Sequence, residues 1–397
     1  MWIISQIGAR EHYSIPRALQ NSGQLGALLT DFWIPPSSLI GCLPGTQKLR
    51  DRYHPDIAPK LVWAPNCASL LFEMKQRFRK NAFWTRIQNR DHSFQQQAIP
   101  QLHRLANSFT GGAQPILFSY SYAAHDLFRE VKQLGWKTVL GQIDPGPVEH
   151  ELVAKLRDLF PNWNHSILPK PTQRYWDNWR EECDLADEII VNSNWSAKLL
   201  SKSGIDQDKM RVVPLAYEHS APTIPSKTFE HRPLRLLFLG QALVRKGIHD
   251  LVAASRDLDS SLWHIDVVGP HGPLPDSLPE TITFHGSAAR SEVADWYSKA
   301  DVFVLPTHSD GFAITQLEAM AHGLPVIATP CCGEVVEDGK NGWIIPAGDP
   351  GTLVECLNKI AKDPEPLIPM VEAARLRVAD FNLERISEAL LQPKQLN

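Results

Sequence analysis

The chain has 397 residues, 43% hydrophobic and 21% charged, with a formal net charge of −4. That length suits two domains with sizeable cores, and the composition is that of an ordinary globular protein, which excludes fibrous and low-complexity classes. The charge balance gives no reason to expect nucleic acid as a partner.

The N-terminal stretch MWIISQIGAREH reads as a short apolar strand running into a glycine loop, without the apolar core and cleavage site of a secretory signal. No apolar run reaches the ~18 residues a membrane span needs. In the first half, strands are expected at Trp2 to Ile7, Gln24 to Leu29, Ile116 to Tyr120, Lys137 to Ile143 and Glu188 to Asn192. Between the second and third of these lies Leu70 to Arg90, which carries Lys75, Arg77, Arg79, Lys80, Arg86 and Arg90 among Leu71, Phe72, Phe78, Phe83 and Trp84. A solvated covering helix is one reading of it, and peripheral contact of 70–90 with an anionic membrane or charged acceptor is the other. Nine of the twelve tryptophans precede residue 212, most suited to the core and one or two to a platform for a sugar ring.

Val212 to Arg232 is rich in Pro and Ser, lacks periodicity after Ala216, and is read as a linker. Beyond it, strands are expected at Leu234 to Gly240, Trp263 to Gly269, Ile282 to His285, Val302 to Leu305 and Pro325 to Thr329. Strands alternating with helical patterns in both halves predict an α/β protein of two Rossmann-like domains with parallel sheets facing across a cleft.

Two strand-to-helix turns of the second half suit a phosphorylated ligand. After the Leu234 strand, LLFLGQALVRKGIHDLV puts Gly240 in the turn and Lys246 ahead of Gly247 and a helix. After the Val302 strand, DGFAITQLEAMAHGLPVIAT places Asp310 before a helix that opens after Gly311 and Phe312, its first N–H groups unpaired, with Glu318 further along and His322-Gly323 closing it. Ile314, Leu317, Met320 and Ala321 recur at helical spacing on its apolar side. The six cysteines form no Cys-x-x-Cys pair, so a disulfide scaffold or structural zinc is not expected, and a reducing cytosol is. Asp206 to Asp208 and Asp257 to Asp259 are read as turn and helix-end residues, and no metal ligand is assigned.

The segment ADVFVLPTHSDGFAITQLEAMAHGLPVIATPCCGEVVEDGKNGWIIPAGDP resembles the retaining GT-B glycosyltransferases of family 4, also called glycosyltransferase group 1. The resemblance is strongest over Leu234 to Asp349 and weaker at the N-terminal loop and in EECDLADEIIVNSNWSAKLL. It implies an acceptor-binding domain over 1–217, a nucleotide-sugar-binding domain over 218–375, and a tail of about 376–397 packing back on the first. It also implies that Glu318 binds the ribose hydroxyls, that Asp310 faces the transferred sugar in place of a Glu, and that Lys246 neutralises the diphosphate. Arg245 stands near the place of a second cation, because Gln241 follows the strand glycine where many members have Arg. Gly311, Phe312, Ala313, Ile314 and Gly333 line the donor site, with Ala313 and Cys332 in place of two glycines. Gly8-Ala9 matches a Gly-Gly loop over the phosphates. Acid–base help is assigned to His125 or His150, with His12, Asp144 and Glu149 as other candidates.

The implied activity is transfer of a sugar from a nucleoside-diphosphate sugar to a glycan, lipid-linked or small-molecule hydroxyl in polysaccharide biosynthesis. No cofactor is called for beyond the donor substrate, and the setting is cytoplasmic or peripheral at the inner membrane face. The alternative is a catalytically silent GT-B protein acting as a sugar-nucleotide-binding or scaffolding subunit. A Rossmann oxidoreductase is disfavoured because no Gly-x-Gly-x-x-Gly follows a strand.

Overall fold

The computed structural model describes residues 1–38, 47–78, 81–108, 114–163, 169–218, 228–230 and 232–392. All ten expected strands are present. β1 (Trp2–Gln6), β2 (Leu25–Thr30), β3 (Val62–Trp63), β4 (Ile116–Tyr120), β5 (Lys137–Gly141), β6 (Glu188–Val191) and β7 (Met210–Val212) form a sheet in the order β3-β2-β1-β4-β5-β6-β7. β8 (Leu234–Leu239), β9 (Trp263–Val268), β10 (Ile282–Gly286), β11 (Val302–Leu305), β12 (Val326–Ala328) and β13 (Gly342–Ile344) form a second, in the order β10-β9-β8-β11-β12-β13. The strand pairings in both sheets are parallel. The strands not expected from the sequence, β3, β7 and β13, are edge strands of two or three residues, and none lies in an apolar run like the one that marks the equally short but central β12.

Neighbouring residues of a strand feed different cores, as the pleat requires. Ile3 packs with Leu117, Phe128 and Leu140 on one face of the first sheet, while Ile4 packs with Tyr13, Leu19 and Phe118 on the other. In β8, Leu236 and Phe238 join Leu251 and Trp263, and Leu237 joins Phe303, Leu317 and Met320. Helices covering both faces explain why these strands read as continuous apolar runs rather than alternating ones.

Two segments tie the halves together. In the helix Pro147–Leu159 and the turn Pro161–Trp163, Leu156 and Trp163 bury themselves in the core of the second sheet. The last helix, Leu383–Leu391, returns to the first sheet, where Ile386 and Leu390 pack among Ile4, Tyr13 and Ile15. Of the stretch read as a linker, 219–227 and 231 lie outside the described residues.

Strand order reverses between β1 and β4 and again between β8 and β11. Ligands of doubly wound sheets bind beyond the carboxyl ends of the strands at such reversals. The loops after β8 and β11, which the sequence singled out, flank the reversal of the second sheet. The 70–90 stretch falls on the helices Asn66–Phe78 and Phe83–Ser108, with Arg79, Lys80 and the Arg77 side chain outside the described residues. Leu71, Met74 and Phe78 are exposed there, Phe78 by 86%. Among the described residues no helix is long and apolar enough to cross a membrane.

Candidate functional site

The loop after β8 passes through Gly240, makes a single 3₁₀ turn at Val244–Lys246, and enters the helix Ile248–Ser255 through Gly247 at φ +75. It is fastened to the loop after β11: the Arg245 carbonyl accepts the His308 N–H and the Thr307 hydroxyl, both at 2.9 Å. This brings Lys246, Arg245 and Asp310 together. Lys246 Nζ donates to Asp310 Oδ2, Arg245 Nη1 lies 3.8 Å from the same oxygen, and Arg245 Nη1 donates to the Ser309 carbonyl at 2.7 Å. Burial, with the Arg245 guanidinium alongside, pulls the Lys246 pKa down to about 8 against the opposing pull of Cys332 and Glu149.

The loop after β11 differs from the sequence reading in one respect. Its helix was expected to open directly after Phe312 but spans Thr315–Ala321, because Ala313 adopts a left-handed conformation at φ +62 and turns the chain first. The first N–H groups bonded to this turn are those of Gln316, to Ala313 O at 3.1 Å, and Leu317, to Ile314 O at 2.9 Å. Those of Ala313, Ile314 and Thr315 lie ahead of them. With seven residues the helix carries a weak dipole, so the individual N–H groups matter more than the macrodipole for anion binding. Gly333 is sterically required, since a Cβ there would lie 2.5 Å from the Phe312 ring and 2.9 Å from its carbonyl oxygen, whereas one at Gly311 would only push on the Asn192 amide at 2.9 Å. Glu318 is half-buried and accepts a 2.8 Å hydrogen bond from the Tyr297 hydroxyl through Oε2.

The Ala313 geometry makes a stability prediction. A left-handed L-residue costs roughly 1–2 kcal/mol, and glycine's added unfolded-state entropy offsets roughly 0.5–1 of it. Ala313→Gly is therefore expected to stabilise the protein by about 0.5–1 kcal/mol. The midpoint of urea unfolding is the measurement, and a lower midpoint than wild type would contradict it.

The first domain contributes differently from the histidine assignment. His125 is held between Asp126 (2.9 Å) and Glu181 (2.7 Å), which raise its pKa, and its ring contacts are all with first-domain helices. His150 is exposed and sits edge-on to Trp176 at 5.0 Å. Neither joins the Lys246 cluster. Their neighbour Glu149 does: it is 9% exposed, accepts the Ser309 hydroxyl at 2.6 Å, and lies 3.8 Å from Arg245. Burial raises its pKa against the pull of Arg245. The sequence reading names Glu149 among its candidates in this loop but prefers the neighbouring histidine.

Gly8, at φ +86 after β1, donates its N–H to Asp31 at 2.8 Å, and Asp31 pairs with Arg52 at 3.0 Å. Glu11, His12 and Tyr13 follow with positive φ of 50, 50 and 60. Three consecutive strained residues beside the β1–β4 reversal are the kind of cluster found at ligand sites. Beyond β4 and β5, Tyr122 donates to Asp144 at 2.9 Å and stacks on Tyr175 at 4.6 Å, with Trp84 at 4.6 Å from Tyr175. This aromatic wall, assembled from three separate segments, was not legible in the sequence. Asp208 and Asp259 sit in local turns, with Asp206 accepting the Asp208 N–H and Asp259 that of Ser261.

The family model described as "Glycosyl transferases group 1" matches residues 233–363, the stretch that holds both loops. Among curated proteins, amylovoran biosynthesis glycosyltransferase AmsK of Erwinia amylovora is 26% identical over 214 residues, 49% of this chain and 52% of that protein. Putative colanic acid biosynthesis glycosyltransferase WcaL of Salmonella typhimurium is 29% identical over 222 residues, 51% of this chain and 54% of that protein. The chain thus spans about half the length of the curated relatives it matches. Of solved structures, sucrose-phosphate synthase from Thermosynechococcus elongatus superposes with a TM-score of 0.62 at 18% identity, covering 98% of this chain and 97% of that one. Anabaena HepE, solved with UDP and glucose, gives 0.60 at 14% identity and 98% coverage of both chains. Residues 233–363 thus match the group 1 glycosyltransferase domain, and the two parallel-sheet domains of the chain have the GT-B fold of the structures they superpose on.

Proposed function

We propose that this chain is a retaining, metal-independent transferase of the family 4 type, moving a sugar from a nucleoside-diphosphate sugar to a hydroxyl of a glycan, lipid-linked or small-molecule acceptor. The observation that carries the reading is the convergence of Lys246, Arg245 and Asp310 on the strand-order reversal of the group 1 domain. The UDP and glucose bound by the HepE neighbour and the polysaccharide pathways named for AmsK and WcaL support the same substrate class.

Breaking the sugar–phosphate bond builds negative charge on the leaving diphosphate while positive charge grows at the sugar C1. Lys246 has three N–H donors, so it can keep Asp310 and still donate to a phosphate oxygen. The N–H groups of Ala313, Ile314 and Thr315 supply pre-oriented dipoles beside it. Glu318, with Oε2 held by Tyr297, presents Oε1 to the ribose hydroxyls, and Asp310 faces the sugar. The Tyr122–Tyr175–Trp84 wall and Glu149 form the acceptor side. The exposed Leu71, Met74 and Phe78 face suits peripheral contact with the inner membrane, checked by co-sedimentation with anionic vesicles, where recovery only in the supernatant would exclude it.

Titrating a panel of UDP- and GDP-sugars into wild type and Glu318→Gln by calorimetry tests the nucleotide reading. A hydrogen bond to a charged acceptor contributes about 1.5–3 kcal/mol, so the variant should bind its nucleotide tenfold or more weakly. Equal affinities would remove Glu318 from the ribose site.

The lowered Lys246 pKa also sets a pH dependence. Its charge is half lost at about pH 8 and complete only well below that value, whereas a bound diphosphate favours the protonated form. Donor affinity should be flat to about pH 7, bend near 8 and approach a fall of roughly tenfold per pH unit above about 9, with proton uptake on binding rising towards one over the same range. Calorimetry at pH 8.5 in two buffers of different ionisation enthalpy measures that uptake; zero uptake would place the charge on another group.

A further inference from the structure

Behind the Lys246–Asp310 pair, the same two loops carry a cluster that the proposed transfer chemistry does not use. His249 and Asp250 begin the helix after Gly247, and His308 follows β11. His308 Nε2 lies 2.6 Å from Asp250 Oδ2, and His249 Nε2 lies 3.5 Å from Asp250 Oδ1. The two imidazoles stack at 5.0 Å with 21° between their planes. One potential ligand atom from each of the three residues lies within 4.8 Å of the other two.

The decisive feature is His249. It is 6% exposed, and neither of its ring nitrogens has a hydrogen-bond partner among the described residues. Phe160 closes over it with ring centroids 3.9 Å apart. An imidazole buried without a partner at either nitrogen is costly, and proteins rarely retain one unless something occupies the lone pair. A purely structural histidine at this place would be served as well by an apolar ring stacked on Phe160.

We propose that His249, Asp250 and His308 bind a divalent cation of the zinc class, which fastens the loop after β8 to the loop after β11. Two imidazoles and one carboxylate are the donor set zinc takes in three-ligand sites, whereas magnesium and calcium call for oxygen ligands. With metal–ligand bonds of about 2.0–2.1 Å, tetrahedral ligand atoms stand roughly 3.3 Å apart. The three atoms here lie within 4.8 Å of one another, and the two stacked imidazoles must turn so that their in-plane lone pairs converge on the cation. To ligate through Nε2, His308 exchanges its N–H toward Asp250 for a lone pair, its proton moving to Nδ1. The fourth position is left to water or the second Asp250 oxygen. The cation would sit on the far side of the Lys246 loop from the diphosphate and set the loop's position rather than touch the donor. No local pattern marks it, because His308 lies far along the chain from His249 and Asp250.

The test uses full-length protein stripped with a chelator and titrated with Co²⁺, followed by Zn²⁺ in competition. One equivalent of Co²⁺ should bind with the visible absorption of a tetrahedral site, be displaced by Zn²⁺, and raise the thermal midpoint. His249→Phe, which keeps the stack on Phe160, should fold without metal and bind Co²⁺ roughly a hundredfold or more weakly. Asp250→Asn should do the same and decides the matter if His249→Phe fails to fold. Absence of stoichiometric binding to wild type, or equal binding by both variants through surface histidines, overturns the site. Nucleotide affinity measured in parallel separates that failure from failure of the transferase reading.

Discussion

Lys246→Ala is expected to lower kcat/KM for sugar transfer by roughly 10²–10³-fold, the usual loss when a pre-oriented donor to the transition-state charge is removed. The effect should fall chiefly on kcat, since charge on the leaving diphosphate grows as the bond breaks. One complication is built into the geometry: removing the ammonium leaves the Asp310 carboxylate, 14% exposed, with Arg245 3.8 Å away as its remaining cation. An uncompensated buried charge is itself destabilising, by several kcal/mol in closed sites. Lys246→Ala/Asp310→Asn removes that penalty. If the double variant regains the wild-type unfolding midpoint but turns over more slowly than Asp310→Asn alone, Lys246 acts on the donor. If either variant turns over at the wild-type rate, the diphosphate is neutralised elsewhere.

Gly247→Ala should produce one of the largest losses of stability of any single methyl added to the described loops. A Cβ there would lie 1.8 Å from the Pro306 carbonyl oxygen and 2.6 Å from its carbon, and φ is +75. The left-handed conformation alone costs about 1–2 kcal/mol. The clash cannot be relieved by a rotamer change, because the obstacle is backbone fixed at the end of β11. A total of about 4 kcal/mol or more is expected, a large share of the 5–15 kcal/mol that holds a domain folded. Gly339→Ala is the control: φ is +72, but nothing lies within 4 Å of its Cβ, so only about 1–2 kcal/mol should be lost. Equal unfolding midpoints for the two variants would mean that the two loops do not approach as closely as described. The same close approach carries the Arg245 carbonyl to His308 and Thr307, so a Gly247 variant that folds should also bind donor poorly.

The two effects share a cause. The chemistry sits where two loops of one sheet meet at its strand-order reversal, and glycine lets them meet. That is why the loop sequences were readable: each couples a strand signal, a glycine and a charged residue at fixed spacing, and such local patterns survive translation into structure. The irregularities noted there acquire specific meanings. Ala313 keeps the left-handed turn that glycine would make, at a cost in strain, while Cys332 is buried with its thiol donating to Thr329 O at 3.3 Å and accepting from Gln316. Arg245, named to compensate for Gln241, does lie beside Asp310 and Glu149.

The first-domain residues were read less well. His125 and His150 were chosen by residue type within loops at the right ends of β4 and β5. Which side chain of a loop or helix start turns toward the partner domain depends on the helix's rotation and on what else competes for it. Asp126 and Glu181 hold His125, Trp176 takes the edge of His150, and Glu149 is left facing Arg245.

From the sequence alone came the fold class, the ten expected strands, the placing of Gly240, Lys246 and Asp310 at strand-to-helix turns and of Glu318 in the helix that follows, and the resemblance to a glycosyltransferase family. All of these rest on short-range patterns: burial period, turn chemistry and motif spacing. Only the tertiary structure decided that Lys246 is paired with Asp310, that Glu149 rather than either histidine crosses to the second domain, that Tyr122, Tyr175 and Trp84 form one wall, and that His249, Asp250 and His308 converge. Those are contacts between segments distant in the chain, set by how the sheets bring their loops together. No local pattern records them, because sequence neighbours constrain a side chain's direction far less than the packed elements that surround it.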